Sequence, residues 1–437
     1  MSLLQTGGPP LRRASLNVIE TEPQRRGPDR SVDRRLTFAG LVVAALFLVV
    51  AALSVALPPG VRLGWWLPVH LALAGGAATA IAAMLPFFVA ALVVAPPAPA
   101  WLHGGAIALV ASGAALAAVG RASDAAVPNL VPALGAVAFV AGAAGVAGSA
   151  LWPLRRATGP RRPVTEAAYL AGLACVMAGV TIGGLYLAGE PAVVEAWARL
   201  RVAHAWLNAF GFLGLVIGGT LIHFAPTVAG ARIRSRTSGR VAVAALGAGA
   251  VAGAGGYTVD SGGLVQAGAA LLVGGAAALT WHGLRVQRDA VGWSSEHDWH
   301  RLASWSFLAA PAWLLVAAAV IALRVAGAGA GGEGWRLTDV AGPLIAGFAI
   351  QVLVGAMTNL VPAVGASGHA ERAIARRALG RLGTARVVAW NLGTAALSVG
   401  LLGDAPIFAT LATLGLVTLG IAAAAAAGAL GSAILRR

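Results

Sequence analysis

Apolar residues in this chain come in long runs, and the polar and charged residues are confined to the stretches between them. A helix crosses a hydrocarbon core of about 30 Å with about 20 mostly apolar residues. The pattern predicts twelve such spans, at 36–57, 65–94, 101–120, 129–152, 166–188, 202–229, 240–258, 262–283, 302–323, 340–364, 386–403 and 405–434. The expected fold is therefore an all-α integral membrane protein with twelve transmembrane helices. Residues 1–35 hold Pro9, Pro10, Pro23 and Pro28 among seven arginines and no apolar run, which predicts a disordered tail ahead of a membrane domain over 36–435. The first span is followed at once by the second, so it is expected to remain as an anchor.

The arginines assign sides to these spans. The chain has no lysine, and with the N-terminus placed in the cytoplasm twenty-five of its 31 arginines fall on the cytoplasmic side. The six outside are Arg62, Arg121, Arg199, Arg201, Arg324 and Arg336. Positive charge near span ends is retained in the cytoplasm, so both termini are expected there, together with loops 153–165, 230–239, 284–301 and 365–385.

Composition narrows the class. Hydrophobic residues make up 58% of the chain and charged residues 11%, which excludes an ordinary soluble domain. The net charge of +15 follows the topology and is not a nucleic-acid footprint. Basic residues that are all arginine, with abundant alanine and glycine, are what GC-rich codons encode, which places the protein in a bacterial inner or plasma membrane. Cys175, the single cysteine, excludes an intrachain disulfide and reads as a small buried hydrophobe. The 59 glycines read mostly as packing devices that let helices approach closely.

A repeat organises the spans. Span six runs from Gly211-Phe through Gly219 to Pro226-Thr-Val, and span ten from Gly347-Phe through Gly355 to Pro362-Ala-Val, at identical spacing. Span two fits more loosely, with Pro86 sixteen residues after His70 and Gly75, Gly76 and Thr79 between them. Spans two, six and ten are four apart, so the chain reads as three groups of four helices. The repeat predicts equivalent inner positions for these spans, with Gly219 and Gly355 at matched depth facing the bundle interior.

Three four-helix units with equivalent second helices resemble the twelve-helix fold of the heme-copper oxidase subunit I superfamily, including its NnrS-like relatives. The segment His204-Ala-Trp-Leu-Asn208, continuing to His223-Phe-Ala-Pro226-Thr, is also similar to the N-terminal membrane domains of actinobacterial proteins labelled copper oxidases or nitrite-reductase-like. The resemblance covers roughly residues 36–435. It implies heme ligation from the second helix and copper ligation from the sixth, both in the outer part of the membrane, where His70 and His204 are expected. The sequence departs from the family at several points. Trp206 stands where the related membrane domains carry a second histidine, span seven has no adjacent histidine pair, and span ten has no histidine. A complete oxygen-reducing centre is therefore not expected. Every Asp and Glu lies in a loop or at a span end, which argues against proton pumping.

Intramembrane imidazoles are functional candidates because burying one is costly without a ligand or a partner. His70 and His204 read either as ligands to heme or copper or as interhelical hydrogen-bonding groups. Asn208, one turn after His204, reads either as a group that orients its ring or as an interhelical hydrogen-bonding group itself. His223 lies about 28 Å along the helix from His204, at ~1.5 Å per residue, so the two cannot share an ion. Its counterpart in span ten is Asn359, and with mid-span Gln351 these read either as a second polar cluster toward the bundle centre or as interhelical hydrogen-bonding groups, Gln351 also as a cavity-lining residue. His103 and His282 fall at the cytoplasmic ends of spans three and eight. His297 and His300, in Glu-His-Asp-Trp-His, read as a solvated interfacial pair, and His369 reads as a loop residue. Trp65, Trp66, Trp197 and Trp335 outside, and Trp152, Trp281, Trp293 and Trp305 inside, read as aromatic belts.

Two function classes follow. The first is a heme- or copper-binding membrane protein, passing electrons or handling nitrogen oxides or copper, with a redox partner on the extracytoplasmic side. The second is a metal-free permease or accessory membrane subunit. No P-loop, nucleophile elbow or zinc-hydrolase motif offers an enzymatic alternative.

Overall fold

A computed structural model describes residues 31–122, 130–159, 161–231, 237–290, 298–328, 335–365, 369–403 and 405–435. Each expected span falls on one helix: α1 (Ser31–Ser54), α2 (Trp66–Leu92), α3 (Ala100–Ala122), α4 (Leu130–Arg155), α5 (Pro163–Leu187), α6 (Trp197–Ala229), α7 (Thr237–Thr258), α8 (Gly262–Asp289), α9 (Asp298–Ala328), α10 (Leu337–Pro362), α11 (Gly383–Gly400) and α12 (Pro406–Leu435). Eleven of them, all but α11, are long and apolar enough to cross a bilayer. Arg386 and Asn391 in the first half of α11 lower its hydropathy. The protein is an all-α polytopic membrane protein.

The helix ends differ from the sequence reading where polar residues join a helix. Helix α1 begins at Ser31, five residues before the expected span, because Asp33 in its first turn bonds His103 of α3 at 2.7 Å. The rest of the expected tail, residues 1–30, lies outside the described residues. Between α10 and α11 a separate helix, His369–Leu379, carries Arg372, Arg376 and Arg377. Gly230, at φ +66°, ends α6 in the left-handed conformation that glycine adopts without strain.

Helices α2, α6 and α10 share a feature that hydropathy does not reveal. Each contains a π-helical segment, Leu71–Ala77, Leu207–Gly214 and Gly342–Ile350, followed by an α-helical stretch with an internal proline, Pro86, Pro226 and Pro362. A π segment re-aims the side chains around it and is frequent at functional sites. Helix pairs α3–α4, α7–α8 and α11–α12 pack most extensively, while α1, α5 and α9 lie against α2, α6 and α10.

The glycines of the repeat face a different neighbour from the one expected. A Cβ added at Gly219 would lie 2.6 Å from Ala168 on α5, and one at Gly355 would lie 2.8 Å from Ser306 on α9. Gly75 and Gly76 likewise meet Phe47 and Leu48 on α1. These glycines therefore face the helix that precedes their own and not the bundle centre, because the close approach of two helices takes the place of side chains.

The prolines create a second requirement. A proline donates no hydrogen bond to the carbonyl four residues back, and Ile222 is that residue for Pro226. Its carbonyl accepts from His282 Nε2 at 3.2 Å, while His282 Nδ1 bonds the Ser238 hydroxyl at 3.0 Å. Near Pro86, the Ala83 carbonyl accepts from His103 Nε2 at 3.1 Å and from Thr37 Oγ1 at 3.3 Å. His300 is buried in the first turn of α9 and donates to the Val228 carbonyl. It is a helix-to-helix contact and not the solvated interfacial group expected, while its proposed companion His297 lies outside the described residues. His369 begins the helix His369–Leu379 instead of lying in a loop.

Candidate functional site

The sequence-predicted pair His70 and His204 meets at the end of the bundle where α2 and α6 begin. Their ring centroids lie 6.2 Å apart, with planes 17° from parallel. His70 immediately precedes the π segment of α2, and His204 stands three residues before that of α6.

Hydrogen bonding settles the tautomer of both rings. His70 Nδ1 bonds the Trp66 carbonyl and His204 Nδ1 bonds the Gly179 carbonyl, each at 2.7 Å. A carbonyl oxygen only accepts, so each Nδ1 carries the hydrogen and each neutral ring keeps its lone pair at Nε2. Neither Nε2 has a protein partner among the described residues. Metal-binding histidines commonly show this arrangement, with one nitrogen tied to a carbonyl that fixes the ring and the other left to coordinate.

The seat of His204 is built by α5. A Cβ at Gly183 would lie 2.9 Å from His204 Cε1, and one at Gly179 would lie 2.5 Å from Asn208 Nδ2. Gly179 and Gly183 are four apart on one face of α5, so two missing side chains leave room for the imidazole and the amide. Asn208 Nδ2 donates to the His204 main-chain carbonyl at 2.7 Å and lies 3.4 Å from the ring Nδ1, which is itself a donor. The Gly179 carbonyl orients the ring, and Asn208 braces the backbone that carries it.

Aromatic rings flank the pair. Trp66 stacks on His70 at 4.1 Å, Trp197 lies 6.5 Å from His204, and Tyr186 stacks on Trp197 at 3.8 Å. Trp206, two residues after His204, turns away: it is fully buried and donates its indole N–H to the Gly249 carbonyl on α7 at 3.0 Å. Trp335 packs against Trp206 at 6.1 Å and is 5% exposed, so it belongs to the core and not to an interfacial belt.

The three residues of the expected second polar cluster have these neighbours. His223 Nδ1 bonds Thr165 of α5 at 2.7 Å, and Thr165 donates to the Gly219 carbonyl at 3.0 Å. Asn359 donates to its neighbour Thr358 at 3.3 Å. Gln351 instead lines a small void with residues of α9, α11 and α12.

Farther along the bundle, α2, α6 and α10 enclose an apolar cavity of about 130 Å³ walled by Leu73, Met84, Phe88, Phe224, Ala349 and Met357. Tyr169 and Thr220, bonded to each other at 2.9 Å, are among its few polar groups. Among the described residues no group of three or more His, Cys, Asp or Glu is placed to hold a metal ion. The sequence reading missed Gly179, Gly183, Trp66 and Tyr186 as parts of the site, although Gly179-x-x-x-Gly183 is a small-residue spacing that marks close helix contact.

No protein-family model matches the chain, and no curated protein matches it.

Proposed function

We propose that the chain binds one heme through His70 and His204 and carries electrons across part of the membrane. The observation that carries this reading is the ring separation together with the two free Nε2 atoms. The ring centroids lie 6.2 Å apart, close enough for one group to be held by both imidazoles. Copper is the alternative occupant, held by two protein groups alone; a porphyrin brings four nitrogens of its own and asks the protein for two, which favours heme. Bound heme supplies a one-electron couple. Both imidazoles would be taken up in holding the group, which favours electron transfer over oxygen reduction or nitrogen-oxide chemistry.

The protein's own groups have distinct roles in this reading. Carbonyls of Trp66 and Gly179 hold the imidazoles in one tautomer and orientation. Trp66, Trp197 and Tyr186 form a ring-lined approach at the end of the bundle that the arginine distribution assigns to the outside. A soluble redox protein on the extracytoplasmic side is the partner this approach suits. The bundle itself is read as twelve spans in three four-helix units of heme-copper oxidase or NnrS-like type, with both termini cytoplasmic in a bacterial plasma membrane. Matching π segments, prolines and hairpin packing support the three units.

A metal-free permease is the second reading, and the cavity between α2, α6 and α10 is the feature that favours it. Its walls are apolar, so it suits only a nonpolar solute. An optical spectrum and metal analysis of the purified full-length protein separate the two. A Soret band with about one heme per chain supports the proposal, and a colourless, metal-free protein overturns it.

A further inference from the structure

The third group of helices forms a small void, mostly apolar but with three polar side chains in its lining, unrelated to the histidine pair. Gln351 of α10 is 1% exposed, and neither its Oε1 nor its Nε2 has a hydrogen-bond partner. It lines a void of about 10 Å³ together with Ser306 of α9, Arg386 and Trp390 of α11, and Ala422 of α12. Arg386 is 7% exposed. Its Nη1 donates to the Leu379 carbonyl at 2.7 Å, which caps the helix His369–Leu379, and its Nε has no partner. Among the described residues no carboxylate pairs with Arg386.

These facts converge on one ligand class. A guanidinium stays protonated inside proteins, and a buried charge without a counter-charge is costly. A buried amide with both ends unpaired is costly as well. Arg386 Nε–H and the Gln351 amide N–H are donors beside the same void that an acceptor would satisfy; Gln351 Oε1 needs a donor that an anion does not supply, and the uncompensated charge decides for a negative occupant. The void has room for a single particle of water or halide size, which excludes phosphate, sulfate or a carboxylate. We infer that the Gln351–Arg386 void binds one monatomic anion, chloride under cellular conditions.

Crystals of the full-length protein grown in sodium bromide test this directly. An anomalous bromine peak between Gln351 and Arg386 is expected. Ordered water in the void, or a direct Gln351–Arg386 hydrogen bond that closes it, would overturn the inference. In solution, protein purified in gluconate and titrated with chloride at constant ionic strength is expected to show a saturable rise in melting temperature. Bromide should reproduce the rise, Arg386→Gln should abolish it, and Gln351→Leu should weaken it. No rise in the wild-type protein, or an undiminished one in Arg386→Gln, contradicts it. The bromide measurement on the wild-type protein decides the matter if either variant fails to fold.

Discussion

His204 takes its orientation from Gly179: the imidazole Nδ1 donates to the Gly179 carbonyl at 2.7 Å, and the bare Cα leaves the space that Asn208 fills. One glycine on α5 therefore supplies both the acceptor and the room. The same helix supplies Gly183, whose missing side chain lets the Cε1–Nδ1 edge of the ring come close.

Gly183→Ala places a methyl group 2.9 Å from His204 Cε1 and must displace the ring or separate the helices. Overpacking of this kind costs about 1–3 kcal/mol, and about 1.4 kcal/mol is tenfold in affinity. Heme content per chain after purification, read from the Soret absorbance, is expected to fall about tenfold or more. An unchanged content would remove α5 from the site.

His282→Ala separates a structural histidine from a ligand. It leaves the Ile222 carbonyl, already deprived of a donor by Pro226, without its hydrogen bond. An unsatisfied buried acceptor costs about 1–3 kcal/mol, so the variant should unfold at lower temperature while keeping its full complement of heme. Loss of heme at undiminished thermal stability would reverse the assignment. His297→Ala should change neither quantity.

The repeat makes a paired prediction. Gly219 and Gly355 press on α5 and α9 at nearly equal distances, so Gly219→Leu and Gly355→Leu should destabilise the protein by similar amounts, measured by thermal unfolding in one detergent. Tolerance of a leucine at one position and not the other would show that the two environments are not equivalent.

Much of the fold was legible because bilayer thickness writes itself into the sequence as run length, and all twelve apolar runs fall on helices. The pairing of His70 with His204 was legible for a related reason: two inward-running apolar spans bring residues near their starts to one depth. Packing was less visible. Helices apolar on every side carry no periodic stripe, so hydropathy could not say that Gly219 faces α5 or that Trp335 is in the core. The π segments of α2, α6 and α10 leave no hydrophobic signature at all. His103, His282 and His300 sit near span ends, where position alone suggests solvent, yet the helical carbonyls they serve draw them inward.

Orientation is tested by thiol labelling. In a Cys175→Ser background, Ser235→Cys should resist an impermeant maleimide added to intact cells and react after the membrane is opened. Reaction in intact cells would invert the topology and move the histidine pair to the opposite side.

Heme content of the His70→Ala, His204→Ala double variant, compared with wild type by optical spectrum and stoichiometry at equal protein concentration, tests the central claim most directly. Loss of bound heme from the double variant and from each single variant, with the protein still folded in detergent, is the predicted result. A full complement of heme in the double variant contradicts the account.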